Sequence, residues 1–353
     1  MRLDHPLPLE RGGELPAVQL AYETWGTLAP DRSNAVLVLH ALTGDSHVAG
    51  PAGPGHPTAG WWDALVQPGV IDPARYFVVA PNVVGGCQGS TGPSSLALDG
   101  KLWGSRFPAL TVRDQVAAEV ALADALGIDR WAAVVGGSMG GMRALEWAVS
   151  VPDRVESLLL LASPAQSSAD QIAWTYPQLH AIRSDPGWHG GDYYDAEEGP
   201  QRGLGVARRI AHITYRSEAE LSARFGRDPQ GDGRYAVESY LDHHAEKLVR
   251  RFDAGSYVVL AEAMNSHDVG RGRGGVRAAL RRVTARTVVG GVTTDRLYPL
   301  AQQREIADGI TTADDLRVID SPYGHDAFLI ETEQIAGLVK ELFTGSESRV
   351  GSR

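Results

Sequence analysis

A single cysteine, Cys87, serves the whole 353-residue chain. One thiol cannot close an internal disulfide or build a cysteine metal centre, and its scarcity fits a reducing cytosol, where we expect the protein. No apolar run approaches the roughly 20 residues that a membrane-crossing helix needs. The opening Met1-Arg-Leu-Asp-His-Pro6 lacks the apolar core of a secretory signal. Positive charge is also short: 33 Lys and Arg stand against 43 Asp and Glu, a formal net charge of −10. That balance argues against a general nucleic-acid binder, although a local basic pocket is enough to take an anionic substrate. What remains is ordinary for a globular enzyme, with 43% hydrophobic and 22% charged residues. The length suits one α/β domain carrying an insertion, or two domains.

The chain is organised around Trp131-Ala-Ala-Val-Val-Gly-Gly-Ser-Met-Gly-Gly-Met-Arg-Ala-Leu-Glu-Trp147. Trp131 to Val135 is a continuous apolar run and predicts a strand buried on both faces. From Met142 come helix formers with a broad apolar face, which Pro152 stops. Between them lies Gly136-Gly-Ser-Met-Gly140, a G-x-S-x-G pentapeptide. The bare pattern is weak, and its place between strand and helix gives it force. Ser138 on so sharp a turn has its hydroxyl pushed clear of both elements, and a Cβ at Gly136 or Gly140 would crowd the turn. The N–H of Met139, at the helix N-terminus, would face an oxyanion forming on a substrate held by Ser138. The competing reading is a glycine-rich turn that binds phosphate or only packs tightly. Two partner residues further along decide against it.

In chain order, Val18 to Thr24 predicts an antiparallel strand at one side of a sheet. Ala35 to Leu39 is a buried strand running into His40-Ala-Leu-Thr-Gly-Asp-Ser-His47, a turn placed to supply a second oxyanion donor, the N–H of Leu42. His40 and His47 read as residues that orient this loop, since nothing near either has metal-ligand spacing. Tyr76 to Ala80 is the next strand, and a glycine-rich loop follows it. Within that loop Cys87 has no activating neighbour and reads as packing. Thr111-Val-Arg-Asp114 opens a helix as a capping box, Gly127 ends it near Leu126, and Val112, Val116 and Val120 give it one apolar stripe. Leu158 to Ala162 is a further strand.

After Ala165 the character changes to helical, polar and charge-punctuated, through about Gly275. Residues 165–275 therefore read as a helical cap inserted into a core of residues 1–164 and 276–353. In the cap, Ser217-Glu-Ala-Glu220 begins one helix and Tyr240 to Phe252 forms another. Arg208 and Arg209 lie in a helix with apolar neighbours, and from the residues alone they read as solvated on its outer face. His243 and His244 read as surface residues. Gly270-Arg-Gly-Arg-Gly-Gly275 is one short arginine-glycine tract in an acidic chain and reads as a loop. The sheet resumes at Thr287, and Asp295 follows that strand. Leu316 to Ile319 is the last strand, and His325 sits in the loop before a final helix that runs to about Phe343. Residues 344–353 read as a disordered tail. Ser138, Asp295 and His325 each follow a predicted strand, in the order expected of the α/β-hydrolase fold: a mostly parallel central sheet flanked by helices, with the cap above.

Five motifs together resemble the homoserine O-acetyltransferase family: His40-Ala-Leu-Thr-Gly44, Asn82-Val-Val-Gly-Gly-Cys-Gln-Gly-Ser-Thr-Gly-Pro-Ser-Ser95, Gly136-Gly-Ser-Met-Gly-Gly141, Asp295-Arg-Leu-Tyr-Pro-Leu300 and Gly324-His-Asp-Ala-Phe328. The similarity runs from about residue 15 to 343. It implies an acyltransferase with Ser138 as nucleophile, His325 as base and Asp295 as its orienter, moving acetyl from acetyl-CoA to L-homoserine for methionine synthesis. The family's carboxylate-binding arginine, in an Ala-Arg motif before Thr-Tyr-Arg, matches Ala207-Arg208, and its aspartate after the catalytic histidine matches Asp326. The resemblance further implies a homodimer through the cap helices and no metal or prosthetic group, acetyl-CoA being a co-substrate. No nucleic-acid or membrane partner is expected. Three rivals stand beside it: a succinyl-CoA donor, an ordinary serine esterase of the same fold, and an inactive relative serving as a binding module.

Overall fold

The computed structural model describes residues 1–350. A short antiparallel pair, β1 (Leu7–Pro8) and β2 (Glu14–Leu15), precedes a seven-stranded sheet. Its strands are β3 (Tyr22–Trp25), β4 (Ala35–Leu39), β5 (Phe77–Pro81), β6 (Ala133–Gly137), β7 (Ser157–Leu161), β8 (Arg286–Val292) and β9 (Arg317–Ile319). They lie in the order β3-β5-β4-β6-β7-β8-β9, with β3 antiparallel to β5 and every other pair parallel. β4, β6 and β7 are buried at every position, as strands covered on both faces must be. Alternation along β4 shows the two faces. Ala35, Leu37 and Leu39 join one apolar cluster, while Val36 and Val38 join another with Trp62, Phe328 and Val339.

The antiparallel strand begins at Tyr22 rather than Val18. The residues before it turn their N–H groups to the glycine-rich loop instead: Gln19 donates to Thr91 Oγ1 at 2.8 Å and Ala21 to Ser90 Oγ at 3.0 Å. Helix α1 (Val112–Ala125) starts with the capping box, the Thr111 N–H donating to Asp114 Oδ2 at 2.8 Å, and Gly127 at φ +67° turns the chain away after it. Val112 and Val116 are buried, whereas Val120 is only partly covered. Helix α2 (Met139–Ser150) follows β6 directly and packs on the sheet.

Between β7 and β8 come the cap helices: α3 (Ala169–Arg183), α4 (Gln201–Tyr215), α5 (Glu218–Phe225), α6 (Ala236–Val249) and α7 (Ala254–Asn265). α4 packs between α3 and α6, and α7 lies against α3. Their apolar cluster, with Leu179, Ile182, Leu204, Leu248 and Tyr257, also takes in Val83 and Met139 from the sheet side, so the cap sits on the strand ends that carry the site. α6 starts before Tyr240 because the Tyr235 N–H donates to Glu238 Oε2 at 2.7 Å, and it ends at Val249, short of Phe252. α8 (Val276–Leu280) packs on α9 (Leu300–Gly309). α10 (Ala327–Ile330) and α11 (Thr332–Val350) close the chain. α11 runs past Phe343, against the expectation of a tail disordered from residue 344. No proline interrupts the segment, and extending an existing helix costs far less than starting one. Residues 351–353 of that expected tail lie outside the described residues. Among the described residues no helix is long and apolar enough to cross a membrane.

Candidate active site

The turn between β6 and α2 holds Ser138 at φ 56° and ψ −124°, a conformation that costs a non-glycine residue energy and persists only where its surroundings enforce it. Here they do. The Ser138 N–H donates to the Leu161 carbonyl at 3.0 Å, and the Ser138 carbonyl accepts from Ser163 Oγ at 3.0 Å. A Cβ at Gly136 would meet the Gly140 backbone, one at Gly140 the Leu39 carbonyl, and one at Gly137 the Phe328 ring at 2.6 Å. Chain passes on all sides, and only glycine fits.

Three residues distant in sequence then meet. His325 Nε2 lies 2.9 Å from Ser138 Oγ, and its Nδ1 lies 2.7 Å from Asp295 Oδ2. The other Asp295 oxygen accepts the N–H groups of Leu297 and Tyr298, both at 2.9 Å, which fixes the carboxylate. Gly324 sets the histidine loop: its φ is +65°, its N–H donates to Thr294 Oγ1 at 3.0 Å, and a Cβ there would strike the Tyr215 carbonyl. A serine hydroxyl bonded to an imidazole whose far nitrogen is held by a carboxylate is the arrangement that activates serine as a nucleophile.

Ser138 opens into a cavity of about 180 Å³ lined by Leu42, Trp61, Arg208, Tyr215, Arg251, Asp326 and Phe328 among others. The sequence-derived residues therefore share one site. Leu42 sits on its wall, and Met139 is buried beside Ser138 at the start of α2. Among the described residues neither N–H has a backbone acceptor. Arg208 faces inward, which corrects the outer-face reading, while Arg209 turns outward to Asp242 at 2.7 Å. The signal was in α4: Leu204, Ala207, Ala211 and His212 are buried at helical spacing, and Arg208 and Tyr215, half-buried, fall on the same face. Its guanidinium lies 5.5 Å from the Tyr215 ring, and its buried Nε has no acceptor. Asp326 faces Arg216 Nε at 3.4 Å. Burial raises the Asp326 carboxyl above its usual range, against the pull of Arg216, His325 and Arg208.

Other expectations resolve individually. His40 Nε2 accepts the Val83 N–H at 3.1 Å, and burial holds the ring well below its ordinary pKa, so it ties loops together as a neutral imidazole. His244 is not a surface residue like its neighbour His243. It stacks on His212 with centroids 3.9 Å apart, and burial pushes its pKa down to about 4. Cys87 is pushed up to about 11 by burial and stays a thiol at neutral pH. Sequence spacing gave His47 no metal partner, yet the fold brings it to Glu23 and His56. His47 Nδ1 lies 2.9 Å from Glu23 Oε2, the two rings stack at 3.9 Å, and the three donor groups lie within 4.8 Å of one another. This is the one grouping of metal-ligand type among the described residues, and none of its members is in the triad. Arg216 and Arg251, which line the site or its margin, carry no sequence mark of facing inward, because polar cap residues look alike on either side of a helix.

A mostly parallel sheet with a strained serine after a central strand, and an Asp–His–Ser relay at neighbouring strand ends, defines an α/β hydrolase. The family model of the alpha/beta hydrolase fold matches residues 34–332. The homoserine O-acetyltransferase of Thermobifida fusca (strain YX) is 70% identical over 350 residues, which cover 97% of this chain and 92% of that protein. The crystal structure of homoserine O-acetyltransferase from Bacillus anthracis superposes with a TM-score of 0.88 at 28% identity, covering 97% of this chain and 96% of that one. Esterase E22 superposes with the same TM-score, 0.88, at 25% identity, covering 97% of this chain and 100% of that one. The chain belongs to the homoserine O-acetyltransferase family, and so to the acyltransferases.

Proposed function

We propose that the protein moves an acetyl group from acetyl-CoA to the hydroxyl of L-homoserine by way of an acyl-serine at Ser138. The observation carrying this reading is the relay of 2.7 and 2.9 Å contacts ending in the same cavity as Arg208, a cation with no acidic partner among the described residues. His325 Nε2 takes the Ser138 proton as Oγ attacks the thioester carbon. The carbonyl oxygen becomes an oxyanion facing the Leu42 and Met139 N–H groups. Collapse breaks the carbon–sulfur bond, and the thiolate leaves with the proton from His325. In the second half His325 takes the proton of the homoserine hydroxyl, whose oxygen attacks the acyl carbon. Ser138 Oγ departs and is reprotonated. Arg208 binds the acceptor's carboxylate through its planar fork, and Asp326 its ammonium. Each step uses the chain's own groups, with acetyl-CoA as co-substrate and no prosthetic group.

Mass spectrometry of protein mixed with acetyl-CoA alone is expected to show one acetyl adduct on Ser138, absent from Ser138→Ala. An adduct elsewhere, or full transfer by the alanine variant, refutes the mechanism. Because esterase E22 shares the architecture, hydrolysis is the second reading. Thiol release from acetyl-CoA and from succinyl-CoA, each with and without L-homoserine, separates donor and acceptor choices. We infer in addition a cytoplasmic homodimer built through the cap. Ile172, Tyr176 and Val206 expose apolar surface on α3 and α4, Tyr176 at 68%. A fully active monomer at micromolar concentration in light scattering would count against it.

A further inference from the structure

His244, Lys247 and Leu248 on α6, with Arg251 just past its end, recur at i, i+3, i+4 and i+7 and so share one face. That face lines a second cavity of about 270 Å³, with Arg208, Arg216, Leu329 and Ile330 on its other walls. Arg208, Arg251, Asp326 and Leu329 border both this cavity and the one holding Ser138, so the two are adjacent. Lys247 and Arg251 also border a third cavity beside Thr43, Gly44 and Trp61. Arg251 touches all three spaces, and Lys247 the second and third but not the one holding Ser138. The pair stands at the approach to Ser138.

Charge at this approach is unbalanced. Around the second cavity Arg208, Arg216, Lys247 and Arg251 face a single lining carboxylate, Asp326, which Arg216 already meets at 3.4 Å, and the third cavity adds one more, Asp45, beside Lys247 and Arg251. Among the described residues Arg208, Lys247 and Arg251 have no acidic partner within 4 Å. Burial, then the charge of Arg208, pushes the Arg251 guanidinium below its ordinary pKa, against the weaker pull of Asp45. His212 and His244 add no charge, since burial pushes them down to about 2 and about 4. A protein of net charge −10 has gathered free cations at the mouth of its active site. A compact polyanion offsets that repulsion and is drawn in by it.

We propose that Lys247 and Arg251 bind the diphosphate of the CoA donor, whose pantetheine arm passes Leu329 and Trp61 toward Ser138. The assignment rests on the acetyl-CoA reading above and adds to it the residues that tell CoA from a short acyl ester. Lys247 is the better probe, because Arg251 Nη1 also donates to the Thr43 carbonyl at 2.7 Å, next to Leu42. The measurement is the ratio of kcat/KM for acetyl-CoA to that for S-acetylpantetheine, which has the same thioester and arm but no diphosphate. A hydrogen bond between an ammonium and a phosphate contributes about tenfold or more to binding, so Lys247→Gln should lower this ratio by at least that, and Lys247→Arg should restore most of it. Arg250→Ala serves as control. Arg250 follows the same helix but pairs with Glu246 at 3.0 Å and points to solvent, so its ratio should stay within about twofold of wild type. Calorimetry with CoA and with pantetheine on Ser138→Ala makes the same test without turnover. If Lys247→Gln weakens CoA about tenfold there while wild type transfers no acetyl, the functional reading fails and this assignment stands. A ratio and a CoA affinity indifferent to Lys247 overturn the assignment. So does inorganic phosphate displacing CoA with an affinity like CoA's own, which would mark a general anion site.

Discussion

Substituting Arg143 with methionine tests how the loop that carries Leu42 is fixed to the helix that follows Ser138. Arg143, on α2, is fully buried, and the Glu119 side chain is 1% exposed. One arm of the guanidinium donates to Glu119 Oε1 at 2.6 Å and the other to the His40 carbonyl at 2.7 Å, at the head of the loop that carries Leu42. Glu119 Oε2 accepts from Trp147 Nε1 at 2.8 Å. Burial raises the Glu119 carboxyl and lowers the Arg143 guanidinium, both despite the partner, so the pair is held in place at a cost. Arg143→Met leaves a buried carboxylate unpaired, a loss of about 3–5 kcal/mol. Adding Glu119→Leu removes that charge and leaves two neutral groups, Trp147 Nε1 and the His40 carbonyl, each short of a partner at about 1 kcal/mol. The double variant is therefore expected to regain at least about 1–3 kcal/mol over the single one.

Urea denaturation followed by tryptophan fluorescence gives the three stabilities of this cycle, and fluorophosphonate labelling of Ser138 reports the site in each. Labelling should slow in both variants, because both free the His40 carbonyl. A single variant costing under about 1 kcal/mol, or a double variant less stable than the single, refutes the account.

Two further substitutions probe the surroundings of the site. Burial alone would lower the His47 pKa, but the hydrogen bond and charge of Glu23 raise it above its usual 6.5. A raised folded-state pKa gives stability that is whole below 6.5 and is lost as pH climbs through the folded value, so wild type should lose more thermal stability than Glu23→Gln between about pH 6 and pH 8. Equal slopes in thermal melts would remove the ion pair from consideration. Arg208→Ala should leave acylation of Ser138 nearly unchanged in stopped-flow thiol release while slowing transfer to homoserine about a hundredfold or more, and Arg208→Lys should recover only part. Slowed acylation with intact transfer would assign this arginine to the donor or the fold.

The catalytic triad is legible because each member follows a strand, and buried parallel strands are uninterrupted apolar runs that a sequence displays openly. Ala35–Leu39 can be read to the residue, and β8 begins only one residue before its expected start. The cap is legible as an insertion but not in its facing. Arg208 and Arg209 are neighbours, about 100° apart on the helix, and only one can look inward. Composition, read without the helical spacing of the apolar residues, favours the wrong reading for Arg208 and for His244 alike. Glu23, His47 and His56 show a different limit. Glu23 lies at an edge strand and both histidines in one long loop, so they meet only once β3 pairs with β5 and the loop folds back. No local spacing encodes that.

Triad geometry does not choose between water and an alcohol, as the shared fold of a homoserine O-acetyltransferase and an esterase makes plain. What distinguishes this site is a charge held where the folded protein alone gains little from it. Arg208 brings a cation into the cavity, leaves its buried Nε without an acceptor, and has no carboxylate within ion-pair reach among the described residues. Arg216, Arg251 and Lys247 stand around the same space and repel it. A buried polar atom without a partner costs about 1–3 kcal/mol, and in the proposed reaction the acceptor's carboxylate recovers that cost. The acceptor then displaces water from beside the acyl-serine and presents its hydroxyl in a fixed place, which lets it outcompete a far more concentrated nucleophile. On the proposed acceptor role stability is given up for binding, and the trade can be measured. Arg208→Met, close in length and without charge, should raise the melting temperature of the free protein by a few degrees while nearly abolishing transfer to homoserine. L-homoserine should raise the melting temperature of wild type and leave the variant's unchanged. A variant less stable than wild type would show that Arg208 is held by the fold for its own sake, and the acceptor's carboxylate would then need another partner.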